Sequence, residues 1–175
     1  MSADNQQERR GFYIAGYVDG EGSFHVAIQR NPSSRFGYQL VPEFRVSQHS
    51  DRIEILKMIQ AQLACGYIKE NHRNSIDITK VFVVRNRKDL VTKVIPFFQR
   101  YRILSAKEAD FQKFTSIVLT LNSNRFCDKE TFIDLLQKAF SMNRNGKYRK
   151  WNVRMVIDNL ESSETTCQNL EKGKI

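Results

Sequence analysis

Asp19-Gly20-Glu21-Gly22 closes an apolar run, Ile14-Ala15-Gly16-Tyr17-Val18, and a strand-like pattern begins directly after it. Two carboxylates set among glycines can hold a hard cation, because magnesium takes carboxylate, main-chain carbonyl and phosphate oxygens together. A metal held in that way activates water and stabilises the leaving oxygen of a phosphodiester. Gly16 and Gly20 share one face of a helix, so two such helices can approach closely and bring two copies of Glu21 together. At about 6 Å, two carboxylates repel by roughly 3 kcal/mol at an effective dielectric near 20. The last carbonyls of the helix add negative charge to the same spot, and a bound cation offsets both. An ordinary helix-to-strand turn uses the same residues, and the motif by itself does not separate the two readings. An EF-hand is excluded, because the later ligand positions and the terminal Glu of that loop are absent.

A second group of residues could read nucleic acid. His25, Gln29, Asn31, Ser33, Gln39 and Arg45 lie on the polar side of one strand pair, and Lys69, Asn71 and Lys80 belong to another. A two-stranded ribbon fits the DNA major groove, where Gln and Asn pair with adenine and Arg and Lys with guanine. A solvated face of an antiparallel hairpin has the same alternation. Glu43 on that face suits the solvated reading, although it could accept from cytosine. A further basic cluster, Arg144, Lys147, Arg149, Lys150 and Arg154, is interleaved with Tyr148 and Trp151. It suits phosphate contact or a charged helix start equally.

The elements that must carry these residues are legible in the periodicity. The chain has 175 residues, enough for one domain with a core. An apolar helical pattern runs from Arg9 to Gly20, after an expected flexible arm over residues 1–8. Phe24, Val26 and Ile28, then Tyr38, Leu40, Phe44 and Val46, alternate with polar residues around an Asn31-Pro32-Ser33-Ser34 turn, which predicts a hairpin. Pro42 on the apolar side predicts an edge position or a bulge. Ser50 or Asp51 can cap a helix carrying Ile53, Leu56, Ile59 and Leu63 that stops at Gly66. Strands are predicted at Tyr67–Glu70 and Ile76–Arg85, around a turn from Asn71 to Ser75. Asn86 caps a helix through Leu90, Val91, Val94 and Ile95, which Pro96 ends or kinks. Ser105-Ala106-Lys107-Glu108 reads as a capping box before a helix with Phe111, Phe114, Val118 and Leu121. Helices follow at about Lys129 to Ser141 and Arg149 to Leu160, and residues 161–175 form a polar tail. The order is helix, hairpin, helix, hairpin, helices, an α+β arrangement in a single domain over residues 9–160, with no second copy of the first motif.

Composition narrows the partners. A net charge of +9 and a pI of about 9.6 are common in proteins that bind a polyanion. Cys65, Cys127 and Cys167 are far apart, form no Cys-x-x-Cys pair and lie near no histidine, so zinc is not expected. The polar first ten residues, with Asp4 and Glu8, read as neither a signal peptide nor a transit peptide. No apolar run reaches membrane-spanning length.

Ile14 to Gly22 resembles the signature of the LAGLIDADG homing endonucleases position by position. Ala15, Gly16, Asp19 and Gly22 are identical to it; Ile14, Val18 and Glu21 are conservative replacements; Tyr17 and Gly20 depart. The resemblance extends over roughly residues 11 to 121 and, with one motif copy, points to the single-motif homodimeric branch. It implies a four-stranded antiparallel saddle sheet with C-terminal helices and a homodimer paired through the Ile14–Gly20 helices. Ala15, Gly16 and Asp19 would be structural at that helix, with Asp19 capping the paired ends. The resemblance further implies Glu21 as a metal carboxylate, the Gly20 carbonyl as a second ligand, Gln48 as the organiser of active-site water and Arg52 as an active-site arginine. Lys107 takes the place of the basic lysine, with Arg102 as its rival.

The activity so implied is magnesium-dependent cleavage of both strands of double-stranded DNA, at a long pseudo-palindromic site, leaving short 3′ overhangs. Manganese would substitute for magnesium, and calcium would support binding without cleavage. The sequence names no compartment; an intracellular place is expected, a chloroplast or mitochondrion if an organelle intron encodes the chain, as is often so in the family. Two other readings stay open: an intron maturase that binds RNA on the same fold, and a non-catalytic DNA-binding regulator.

Overall fold

In the computed structural model, which describes residues 3–71, 78–123, 128–145 and 152–160, the first helix, α1, spans Ala3–Glu21. It starts well before Arg9, so the arm expected over residues 1–8 is helical from Ala3 onward. Gln6, Gln7, Glu8, Arg9 and Arg10 are straight-chain helix formers that need no packing to favour this state. Further along, Ile14, Ala15 and Val18 turn into the core, while Phe12 and Tyr13 are exposed. At Gly11 a Cβ would lie 2.3 Å from the Tyr101 ring, so only glycine lets that ring close against the helix.

Strands β1 (Gly22–Arg30) and β2 (Tyr38–His49) form the expected hairpin, with Phe24 opposite Phe44 and Gln29 opposite Gln39. β3 (Tyr67–Glu70) and β4 (Thr79–Val84) complete an antiparallel sheet of order β1-β2-β4-β3. The β2–β4 ladder begins only at Phe44↔Val84. The first half of β2 therefore pairs with β1 alone, and Pro42, opposite Val26, lies where the other edge needs no N–H. One face of the sheet packs on the helices. Phe24 sits at the centre of that core, its ring 5.0 to 5.4 Å from those of Phe44, Phe98, Phe111 and Phe114.

Helix α2 (Ile53–Leu63) buries Leu56, Ile59 and Leu63 and follows a 3-10 turn, Ser50–Arg52. Neither Ser50 nor Asp51 caps α2: Arg52 stands at its N-cap with no side-chain hydrogen bond, and His49 caps the 3-10 turn, its Nδ1 accepting from the Asp51 N–H at 3.4 Å. The tighter turn moves the start of the helix beyond both candidates. The helix ends through Ala64 and Gly66, at φ +49° and +75°. A Cβ on Gly66 would meet the Val83 carbonyl at 2.7 Å. Gly66→Ala is expected to destabilise the protein by about 1–3 kcal/mol through backbone strain alone. Thermal unfolding should show this as a melting temperature several degrees lower; an unchanged transition would mean that the turn relaxes freely.

Asn86 caps as expected, its Oδ1 accepting from the Asp89 N–H at 3.2 Å. Pro96 does not end the helix. Arg87–Asp89 (α3) runs into a π turn, Leu90–Val94, in which the Ile95 N–H reaches back to the Leu90 carbonyl. Widening the turn before Pro96 relieves the clash of its ring with the preceding turn, and α4 (Ile95–Arg100) continues. Then come α5 (Lys107–Ser123), α6 (Lys129–Phe140), α7 (Met142–Asn145) and a helix over 153–160 that buries Val156 and Leu160. Asp128 caps α6, accepting from the Thr131 N–H at 2.7 Å, and this bond holds its carboxyl below the usual range. The basic residues Lys147, Arg149 and Lys150, the aromatics Tyr148 and Trp151, and the tail 161–175 lie outside the described residues. No helix among those described is long and apolar enough to cross a membrane.

Candidate active site and nucleic-acid interface

The helix α1 runs through Gly20 to Glu21, so Glu21 is its last residue and its exposed carboxylate stands beside the terminal carbonyls. Asp19 turns the other way, into its own chain. It accepts from the Leu104 N–H at 3.2 Å, the Ser105 N–H at 3.1 Å and the Ser105 hydroxyl. Ser105 Oγ in turn accepts from the Lys107 N–H at 3.1 Å, one residue short of the Glu108 N–H that a capping box uses. Nor does Glu108 make the return bond of such a box; its carboxylate accepts from Gln112 Nε2 at 2.7 Å. Asp19 takes the Ser105 N–H in its place, so the acid of this cap comes from a different helix.

Lys107 completes the junction. Its Nζ donates to the Val18 carbonyl at 2.8 Å, an acceptor that the end of α1 leaves unpaired. Burial pushes the Lys107 ammonium below the ordinary lysine value, while Asp19, Glu21 and Asp110 pull it back up. Lys107 therefore lies within the field of Glu21. Arg102 is 71% exposed, with Glu108 at 3.8 Å.

Gln48 reaches the same end of α1 from β2. Its Nε2 donates to the hydroxyl of Tyr17, and its Oε1 accepts from the His49 N–H at 2.7 Å. Tyr17, one of the two departures from the motif, thus orients a candidate site residue, a role that sequence reasoning missed. Arg52 ends the 3-10 turn and is exposed. Ala15, expected at the paired helix, is instead 3% exposed and packs into its own core. Helical spacing puts it on the face of Ile14 and Val18, away from Gly16. At Gly16 and Gly20 an added Cβ would meet nothing within 4 Å, so the open face of α1 is made by these glycines with Phe12 and Tyr13.

The outer sheet face follows from the register. His25 opposite Glu43, Gln29 opposite Gln39, and Arg45 opposite Val83 point away from the helices, and so does Lys69 opposite Val81. Asn71 joins them, its Oδ1 accepting from Arg45 Nη2 at 3.3 Å. At the hairpin tip Asn31 Nδ2 donates to Gln39 Oε1 at 3.1 Å, and the Ser33 N–H returns to Asn31 Oδ1 at 3.2 Å. Lys80 does not belong to this face. It stands opposite Gln48 and Glu70, on the helix side, and its Nζ pairs with Glu70 at 3.0 Å. Its assignment failed because Val81, Phe82, Val83 and Val84 are all buried, which hides the alternation.

Among the described residues no group of three or more His, Cys, Asp or Glu could hold a metal ion. Glu21 and the Gly20 carbonyl supply two oxygens, which suits a cation that keeps several waters and binds substrate phosphate, as magnesium does.

Residues 14–118 match the LAGLIDADG endonuclease family. The chain is 24% identical over 164 residues to DNA endonuclease I-CeuI of Chlamydomonas moewusii, covering 92% of this chain and 73% of that protein. It is 27% identical over 157 residues to DNA endonuclease I-CreI of Chlamydomonas reinhardtii, covering 87% and 91%. Among solved structures, the archaeal intron-encoded homing endonuclease I-Vdi141I complexed with DNA superposes with a TM-score of 0.81 at 27% identity, over 90% of this chain and 98% of that one. One continuous match therefore takes in the carboxylate turn, both hairpins and most of α5, and the chain belongs to the LAGLIDADG endonuclease family.

Proposed function

We propose that the chain acts as a homodimer that cuts both strands of a long pseudo-palindromic DNA site by metal-dependent hydrolysis. What supports this reading is that Lys107 binds the Val18 carbonyl and Gln48 binds Tyr17, both on the last turns of the helix that ends at Glu21 and carries the open Gly16/Gly20 face. Family membership supports it, since LAGLIDADG endonucleases are generally divalent-metal dependent.

In this reading the two α1 helices pack through Gly16 and Gly20, and the outer sheet faces follow the major groove over about two helical turns. Glu21 and the Gly20 carbonyl hold the cation. Magnesium, when bound, would supply an acidified water and charge to offset the leaving oxygen; manganese would serve as well, and calcium would support binding only. Lys107 places positive charge beside the scissile phosphate. Gln48, oriented by Tyr17, holds the attacking water, and Arg52 contacts the phosphate flank. The products carry short 3′ overhangs. Intron-encoded relatives support an intron as the coding location.

The test is digestion of a randomised duplex library in magnesium, with sequencing of the ends. Cut molecules should share one pseudo-palindromic sequence with staggered breaks; an uncut library would overturn the reading. Tyr17→Phe offers a finer check. Loss of the hydroxyl frees the Gln48 amide, and the maximal cleavage rate should fall by about five- to tenfold, the worth of one hydrogen bond. DNA affinity should be unchanged; a change in affinity alone would remove Tyr17 from the site.

A further inference from the structure

Glu43 is 4% exposed, yet it stands on the outer, polar face of β2. A carboxylate withdrawn from water in this way is costly unless it is paired. Both of its oxygens are taken, one by Arg45 Nε at 3.0 Å and the other by Arg85 Nε. Burial at 4% exposure, with an arginine on each oxygen, withdraws Glu43 from direct contact with a cytosine. The two cations on one anion leave the spot positive, and both guanidinium groups remain half-open to the groove side, 34% exposed for Arg45 and 48% for Arg85. Arg45 spends Nη2 on Asn71. Arg85 is bound to Glu43 through Nε, a bond that does not use its Nη pair. That pair is the fork that donates to O6 and N7 of guanine.

We propose that Glu43 is a positioning residue that aims Arg85, supported by Arg45, at a guanine in the major groove, so that each half-site requires guanine at the base pair beneath this clamp. The proposal rests on the DNA-binding part of the reading above. A fork held in place loses little side-chain freedom on binding, which makes the contact stronger and more selective than a mobile arginine would be. The bland account is that the pairs merely tie β2 to the end of β4, since Arg85 follows Val84, the partner of Phe44.

Selection of bound molecules from a randomised duplex library, in calcium, separates the two accounts without requiring cleavage. The full chain should enrich guanine at one symmetric position per half-site. Glu43→Gln should lower that preference about tenfold to a hundredfold at that position alone, and Glu43→Asp should restore part of it. Arg85→Gln, which can still donate to Glu43 but pairs with adenine instead of guanine, should lose the same guanine, and it carries the test if Glu43→Gln fails to fold. An unchanged guanine preference in these variants, or an equal weakening at every position, would overturn the clamp and leave the DNA reading intact. Enrichment of no duplex at all would overturn both.

Discussion

Glu21→Gln protein should bind the selected duplex as tightly as the parent and fail to cut it. The substitution keeps the shape of an exposed side chain at the end of α1 and removes its outward carboxylate, Asp19 being committed to Leu104 and Ser105. A metal ion contributes several kcal/mol to a phosphodiester cleavage, so its loss corresponds to a fall of about a thousandfold or more in rate. Affinity should hold or rise slightly, because a negative charge leaves the neighbourhood of DNA phosphates. Single-turnover cleavage beside an equilibrium binding titration decides the matter. A mutant that still cuts at the parental rate would remove Glu21 from the chemistry; one that loses binding and cutting together would make it a structural residue.

Gly16→Leu should yield a well-folded monomer with no cleavage. Within its own chain the added side chain has room, since a Cβ at Gly16 meets nothing within 4 Å. Helix propensity even improves by several tenths of a kcal/mol. A bulky residue there blocks the close approach of two α1 helices, and the neighbouring Phe12 and Tyr13 would be left in water. Sedimentation at a concentration where the parent is dimeric should show half the mass, and double-strand cutting should fall about as far as it does for Glu21→Gln. Retention of the dimer would mean that the copies meet through another face.

Much of this architecture was readable before any coordinates, and the exceptions have physical causes. Period-two alternation in β1 and β2 is unambiguous, so His25, Gln29, Gln39 and Arg45 fell on the correct face. In β4 four consecutive buried residues erase that signal, and Lys80 was misplaced. Lys107 is assigned through the resemblance and not through the cap that precedes α5, and the acid completing that cap, Asp19, lies 86 residues from Ser105. Pairs of this kind leave no mark in periodicity. Gln48 and Tyr17, 31 residues apart, meet because α1 packs on β2, and Glu43 and Arg85, 42 apart, because the sheet pairs β2 with β4. The start of α1 was misjudged for a different reason: exposed Gln, Glu and Arg suit a helix and a loop equally well.

The outer half of the first hairpin, beyond the reach of β4, is held from below. Phe36 stacks on Phe132 of α6 at 4.9 Å, and Asn159 donates to the Tyr38 hydroxyl at 3.2 Å. The far end of the recognition surface thus leans on helices that take no part in the junction of Asp19, Ser105 and Lys107. In the function proposed above, reach along the duplex and cutting chemistry would then be anchored in separate stretches of the polypeptide. A lineage can therefore drift toward a new target through changes in the buttress and hairpin tip while its hydrolytic end stays untouched.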